Sequence, residues 1–387
     1  MSAPEPSPFP LVGLHAVSNA HNAWVALVFD LSPADDAIQA SLSLLGHPDA
    51  LASLAPLDCI LPIPDPLRLE ASHLASLPPN RVILRVPAAA CLELPVQKKC
   101  KALADMGYRI MVDGVAAAAA TQSGARSLLF NCAEALPPVL ALVSLPGPHL
   151  ASGVDTEQRQ AECLAAGFSW FMGGHAQHPQ PDASSNDGTS RRRLLALLGL
   201  LARDADSREL EILLKQDPAL AYHLLKLVNS AAFALSSPIH SFGQAINVLG
   251  RRQLQRWLQL LLYARQQDDG SANALLPLAA VRAAQMELLC KLAGGDRDQQ
   301  DMAFVVGVFS LLDVLLGMPM TDIVGALSLD LDVVMALLDR AGPLGQTLQL
   351  VERPDAAALA EAGIAHDAYW QTQLQAHHWA IQVSRNL

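Results

Sequence analysis

The chain has 387 residues, 51% of them hydrophobic and 16% charged, with a formal net charge of −11. That length predicts two or three domains with well-filled cores. The acidic balance, without a long basic run, excludes sequence-independent nucleic-acid binding, which rests on neutralising phosphates.

The acidity is uneven, with 17 Asp and Glu against 9 Lys and Arg in residues 1–190, and 20 against 17 in residues 191–387. No run approaches roughly eighteen consecutive strongly apolar residues, so no membrane span is expected. Met1–Pro10 has no basic region followed by an apolar one, so no signal peptide is expected. The six cysteines are scattered without a C-x-x-C pair. They read as reduced thiols of a cytoplasmic protein, most of them filling cores.

In chain order, short apolar runs come first. Trp24–Phe29, Cys59–Leu61, Arg81–Val86, Arg109–Val112, Ser127–Phe130, Val139–Val143 and Phe168–Phe171 read as buried strands. Helical patterns intervene, most clearly over Val96–Met106 and Glu157–Ala166. Such alternation predicts a parallel sheet with crossover helices, and seven or eight units in this length fit a small barrel. Pro179–Ser190 (PQPDASSNDGTS) has turn residues and no apolar period, and is expected to be a linker.

Beyond the linker the period is helical throughout. Helices are expected over Arg191–Leu201, Ser207–Leu213, Pro218–Asn229, Phe242–Leu249, Arg252–Ala264, Pro277–Leu292, Gln299–Leu316, Met320–Leu327, Leu331–Ala341 and Gly345–Val351. Asp217 before Pro218 is a good N-cap. The tail from Pro354 to Leu387 also reads as helical.

Leu224–Leu262 carries the most specific pattern: Asn229-Ser230-Ala231, then Ile239 and Ser241, then Gln244-Ala245-Ile246 and Leu249-Gly250. Residue types and loop length together resemble the HDOD domain, an all-helical relative of the HD-type metal phosphohydrolases that usually lacks their metal ligands. In HD enzymes a His, a later His-Asp pair and a further Asp bind metal. Here the pair falls at Ser310-Leu311 within Val306–Asp313, and Pro277–Leu292 contains no His. Asp313 alone suits capping or hydrogen bonding. Phe309–Met320 (FSLLDVLLGMPM) resembles the form of this region found in proteins that join EAL and HDOD domains.

Asn80–Val115 and Leu150–Pro179 resemble the middle and end of EAL domains, the (β/α) barrels that hydrolyse the bacterial messenger cyclic di-GMP. The resemblance covers residues 9–179, and an EAL-like barrel preceding an HDOD module is a known pairing. It implies carboxylates and one Asn at the strand ends, holding two divalent metals. Position by position they are replaced. Val28 stands for the first Glu, no Asn follows near Pro62, and Arg85 reverses the charge of the next Glu. The paired Asp residues become Asp113-Gly114. The following Lys and Asp fall at Leu129 and Asn131. The Glu-rich segment becomes Ser152-Gly153-Val154-Asp155-Thr156, and the closing Gln-Gly-Tyr becomes Met172-Gly173-Gly174. Asp113 and Asp155 alone keep acidity at these positions, and Asp30 is the only acid in Trp24–Leu31. The residues themselves also suit a strand-end turn at Asp113 and an N-cap at Asp155.

Other candidates are weaker. His175 and His178 have an H-x-x-H spacing but sit among Gly and Pro, as in a solvated loop. His377 and His378 would point to different helix faces. No phosphate-binding glycine loop and no nucleophile elbow occurs. Arg251, Arg252 and Arg256 form the densest basic group after the linker, with Arg252 and Arg256 on one helix face. They read as a solvated face with stems on apolar neighbours, or as a docking patch for a phosphate-bearing ligand or an acidic partner such as the first domain.

The expectation is a two-domain chain. Residues 1–179 form a degenerate EAL-like (β/α) barrel, 180–190 a linker, and 191–387 an all-α HDOD bundle. The chain is expected to be a non-enzymatic, cytoplasmic signal-transduction scaffold with no catalytic, cofactor or metal residues. Its partners would be proteins, with no nucleic acid, no membrane and no cyclic di-GMP bound. The alternatives are a cyclic di-GMP sensor that does not hydrolyse its ligand, and an active phosphodiesterase.

Overall fold

The computed structural model describes residues 9–32, 40, 44–45, 49–75, 77–178, 250–263, 273–327 and 329–386, with single positions between 196 and 245. The expected linker Pro179–Ser190, the Asp217 cap and the four helices expected between Arg191 and Leu249 fall outside those residues, apart from isolated positions. Two compact units divide the chain: Met1–Gln180 with Asp355–Leu374, and Pro181–Pro354 with Gln375–Leu387.

In the first unit eight strands close into a barrel in sequence order. They are β1 (Leu11–Asn19), β2 (Trp24–Ser32), β3 (Asp58–Pro62), β4 (Val82–Pro87), β5 (Arg109–Asp113), β6 (Ser127–Asn131), β7 (Leu150–Ser152) and β8 (Trp170–Phe171). β1 runs antiparallel to both β2 and β8, and every other neighbouring pair is parallel. Inward positions fill the barrel with Val17, Ala26, Val28, Ile60, Ile83, Met111, Leu129 and Leu150. The helices on this unit are α1 (Ala50–Ser53), α2 (Ala71–Ala75), α3 (Leu94–Asp105), α4 (Ala117–Gln122), α5 (Val139–Val143) and α6 (Glu157–Ala166). Thr156 caps α6 by accepting from the Arg159 N–H at 3.1 Å, and Gly167 at φ 109° ends it in the left-handed conformation that lacks a Cβ penalty.

Three expectations change here. Val139–Val143 is a helix, and the strand of that unit is the three-residue β7, too short to show a period. β1 went unforeseen because Gly13, His15 and Ser18 interrupt its apolar residues. Its hairpin to β2 is set by Asn19, whose Oδ1 accepts from the N–H groups of His21 and Ala23. Finally, part of the tail belongs with the barrel: Trp370 packs its ring 5.9 Å from that of Phe29 on β2, and the His366 ring nitrogen lies 2.9 Å from the Phe9 carbonyl oxygen.

The second unit is helical among the described residues. Its helices are α7 (Arg251–Leu261), α8 (Leu275–Leu292), α9 (Arg297–Phe309), α10 (Leu312–Leu316), α11 (Met320–Ala326), α12 (Leu331–Asp339) and α13 (Gly342–Glu352). Two more helices follow in the chain: α14 (Ala356–Glu361), which belongs to the first unit, and α15 (His366–Asn386), whose residues to Leu374 belong to the first unit and the rest to the second. The single helix expected over Gln299–Leu316 breaks at Ser310-Leu311. α9 starts with a capping box, Asp296 and Gln299 satisfying each other's backbone N–H. Gly307 lets α9 touch α8: a Cβ there would lie 2.5 Å from the Cα of Ala283. That contact sets Ser310, one turn on, beside Arg282.

Asn229, the first residue of the HDOD-like pattern, has a defined mechanical role. Its amide donates to the Ile239 carbonyl at 2.7 Å and accepts from the Ile239 N–H at 2.6 Å. Ile239 is buried. The side chain thus substitutes for a strand partner and pins Ile239, ten residues on. Asn229→Ala leaves both backbone groups without these bonds, and a loss of about 2 kcal/mol of stability is expected in denaturant unfolding.

Candidate functional site

The alternation that fills the barrel interior continues one layer higher, at the carboxyl ends of the strands. Two residues beyond the interior positions Val28, Ile60, Ile83, Met111, Leu129 and Leu150 come Asp30, Pro62, Arg85, Asp113, Asn131 and Ser152. In barrels of this kind such strand ends carry the chemistry.

Four of the groups at this mouth form one charged cluster. The Arg85 guanidinium donates to Asp30 Oδ1 at 2.9 Å, and its Nε lies 3.8 Å from Asp113 Oδ2. His15, from the unforeseen β1, places its Nε2 3.2 Å from the other Asp30 oxygen. The hydrogen bond to His15, then the bond and charge of Arg85, hold the Asp30 carboxyl down at about 2 against the burial that would raise it. Asp113 shifts the other way: burial raises it, Arg85 opposes, and the Asp30 charge adds to the rise.

This donor set does not fit a two-metal centre. Both Asp30 oxygens are engaged, Val28 is wholly buried in apolar surroundings, and a fixed cation lies between the carboxylates. Asn131 turns its Oδ1 to the Ala133 N–H at 3.0 Å, and Ser152 donates to the Phe130 carbonyl at 3.3 Å. Among the described residues no group of three or more His, Cys, Asp or Glu is arranged to hold a metal ion.

Neither Asp155 nor His175 is as expected. Asp155 is not the cap of α6; its Oδ1 accepts from the Gly174 N–H at 2.8 Å and ties the β7 loop to the β8 loop. His175 is buried, not solvated, with Nε2 3.5 Å from the Ser18 hydroxyl. Its pKa is lowered, chiefly by burial. His178 stays on the surface beside the Gly174 carbonyl, so the H-x-x-H pair does not converge. His377 is buried and His378 exposed, on different faces as expected.

The second unit also holds an arginine at the point of interest. At the position expected for the His-Asp pair, the Ser310 hydroxyl accepts from Arg282 at 3.0 Å and donates to the Gly307 carbonyl at 2.8 Å. Arg282 also pairs with Glu352 at 3.0 Å, and Arg340 reaches the same carboxylate at 3.1 Å. Asp313 is not a cap; its Oδ1 is buried and accepts no hydrogen bond. Arg282 and Glu352 were missed in sequence. The signal was available, since Arg282 is the lone charge in the run LLPLAAVRAAQM.

The three arginines after Gly250 separate. The side chain of Arg251 lies outside the described residues. Arg256 is not part of a solvated face: it binds Glu287 through both terminal nitrogens at 3.0 and 2.7 Å, reaches Asp301 at 2.7 Å and stacks 4.6 Å from the Phe304 ring centre. Arg252 binds Asp301 at 2.6 Å, with 40% of its side chain exposed. Trp257 turns inward against Trp379. The five cysteines Cys59, Cys91, Cys100, Cys132 and Cys163 are buried, and none of the six is in a disulfide. Burial pushes the Cys59 thiol up to about 12.

An eight-stranded barrel with an antiparallel first strand, joined to a helical unit, is the class this chain defines. The HDOD domain family matches residues 192–315. It is 29% identical over 206 residues to the uncharacterized protein YuxH of Bacillus subtilis, covering 52% of this chain and 50% of that protein. It is 29% identical over 246 residues to the cyclic di-GMP phosphodiesterase CdgJ of Vibrio cholerae, covering 61% and 56%. This chain thus spans about half the length of the curated relatives it matches. Solved structures that resemble it include the EAL domain of Mycobacterium smegmatis DcpA, at 15% identity, 42% of this chain, 90% of that one and a TM-score of 0.36. Another is a putative phosphohydrolase from Shewanella amazonensis, at 18% identity, 51% of this chain, 93% of that one and a TM-score of 0.34.

The geometry separates the two arginines energetically. Arg256→Gln is expected to lower stability by about 2 kcal/mol, because it strands half-buried Glu287. Arg252→Gln should cost under about 1 kcal/mol, as exposed pairs do. Denaturant unfolding of the two variants checks both.

Proposed function

We propose that this chain is a cytoplasmic, non-hydrolysing scaffold of cyclic di-GMP signalling that acts by binding protein partners. The pairing of EAL-like and HDOD domains supports the signalling class, as does the likeness to a relative named as a cyclic di-GMP phosphodiesterase. The observation that carries the loss of chemistry is the Arg85 guanidinium bound to Asp30 at the barrel mouth. Hydrolysis in an EAL enzyme needs divalent cations to generate the nucleophile and neutralise phosphate charge. A guanidinium supplies positive charge but has no coordination position at which to ligate and activate a water, and here its charge is already compensated by Asp30. The second unit supports the same reading, with Ser310 and Arg282 in place of a metal-binding His-Asp pair. Among the described residues no helix is long and apolar enough to cross a membrane.

Incubation of the purified chain with cyclic di-GMP and either Mg²⁺ or Mn²⁺, followed by chromatography, tests the reading. No linear dinucleotide is expected. Product at enzyme-like turnover that disappears in Asp113→Ala would overturn it. Saturable micromolar binding without turnover would replace the scaffold with the sensor.

A further inference from the structure

The short helix α5 is held to the barrel by little packing. It buries Ala141 and Leu142 and turns Val139, Leu140 and Val143 outward, where they add nothing to its attachment. Leu142 reaches the end of α6, where a Cβ on Gly167 would lie 3.9 Å from its Cδ1. The polar part of the attachment runs through one ring. His149 is 6% exposed and sits just before β7, at the end of the barrel away from the mouth. Its Nδ1 accepts from the Leu128 N–H of β6 at 3.3 Å. It also bonds to the backbone at Leu142 and Leu145, where α5 ends. The Phe168 ring stands edge-on to it at 6.5 Å between centroids. The turn after α5 closes over it: a Cβ on Gly147 would lie 3.6 Å from the ring, and the Gly147 N–H donates to the Arg126 carbonyl at 2.8 Å.

A backbone N–H cannot be turned round, so Nδ1 must be bare and the ring neutral, with its proton on Nε2. A second proton on Nδ1 would abolish the bond to Leu128 and set two N–H groups against each other in a buried place. No charged group compensates it among the described residues. β6 presents a backbone N–H, α5 and its turn present backbone groups, α6 closes on Ala165, Ala166 and Gly167, and the loop before β8 offers an aromatic ring. Arg126, just ahead of β6, is exposed. We propose that His149 is an acid-sensitive latch, and that protonating its ring releases α5 from the start of β6 and β7 while the rest of the barrel stays folded. Burial holds this histidine below its ordinary range, against the pull of the backbone at Leu142 and Leu145. The latch therefore contributes fully above about pH 6.5, the value of a free histidine, and is lost as the pH falls from there towards the lowered value. At pH 5.5 a released histidine is about ten parts protonated to one neutral, so the open form of α5 gains up to about tenfold over pH 7.5.

Hydrogen exchange of the full chain at pH 7.5 and 5.5, corrected for the intrinsic pH dependence of exchange, tests this directly. In wild type, protection of residues 139–146 is expected to fall several-fold, up to about tenfold, at the lower pH, while that of β4 is unchanged. His149→Asn keeps an oxygen for the Leu128 N–H but cannot titrate, and should lose the pH dependence in residues 139–146. His178→Asn, at an exposed histidine, should keep it. Protection of α5 that does not change with pH in wild type would overturn the proposal. So would a fall that survives in His149→Asn, or one that spreads equally over β4, which would mean global unfolding. Should His149→Asn fail to fold, a nuclear magnetic resonance titration of the wild-type histidines decides. The His149 ring is expected to titrate below the ordinary histidine range and in step with the α5 signals. Titration in the ordinary range, or α5 signals that stay fixed while the ring titrates, would overturn the latch.

Discussion

The ion pair between Arg85 and Asp30 governs what the barrel mouth can do. A barrel built for two-metal chemistry gathers carboxylates at its strand ends and balances them with mobile cations. Here the balancing cation is part of the chain. It is bound at 2.9 Å to one Asp30 oxygen while His15 takes the other, so each oxygen of the carboxylate already has a partner. The lowered Asp30 and raised Asp113 carboxyls belong to the same arrangement, one oxygen pair closely partnered and the other left 3.8 Å from its cation.

The helical unit reaches a similar end by different residues. Gly307 brings α8 and α9 into contact, the Ser310 hydroxyl accepts from Arg282, and the guanidinium is answered by Glu352. In both units the charge is fixed, internal and compensated. The sheet and helix frames persist because they rest on apolar interiors and on local devices such as the Asn229 clamp.

Much of this was legible in sequence, and the losses have physical causes. Strands β2 to β6 showed as apolar runs, and Arg85 was visible as a charge in one of them. Its bond to Asp30 was not, because β3 separates the two strands in the sheet and only a long side chain spans that gap. β1 hid behind Gly13, His15 and Ser18. Val139–Val143 misled because a five-residue apolar run has the same composition as a strand or as an apolar helix. Arg256 looked available for docking because its partners, Glu287 and Asp301, lie on two other helices.

The central claim is that a resident guanidinium holds the position a metal would need. Crystals of the full chain soaked in millimolar Mn²⁺, with anomalous diffraction recorded at the barrel mouth, address it most directly. The account predicts no anomalous peak at the strand ends and Arg85 still bound to Asp30. A manganese peak coordinated by Asp30 and Asp113, with Arg85 displaced, would contradict it.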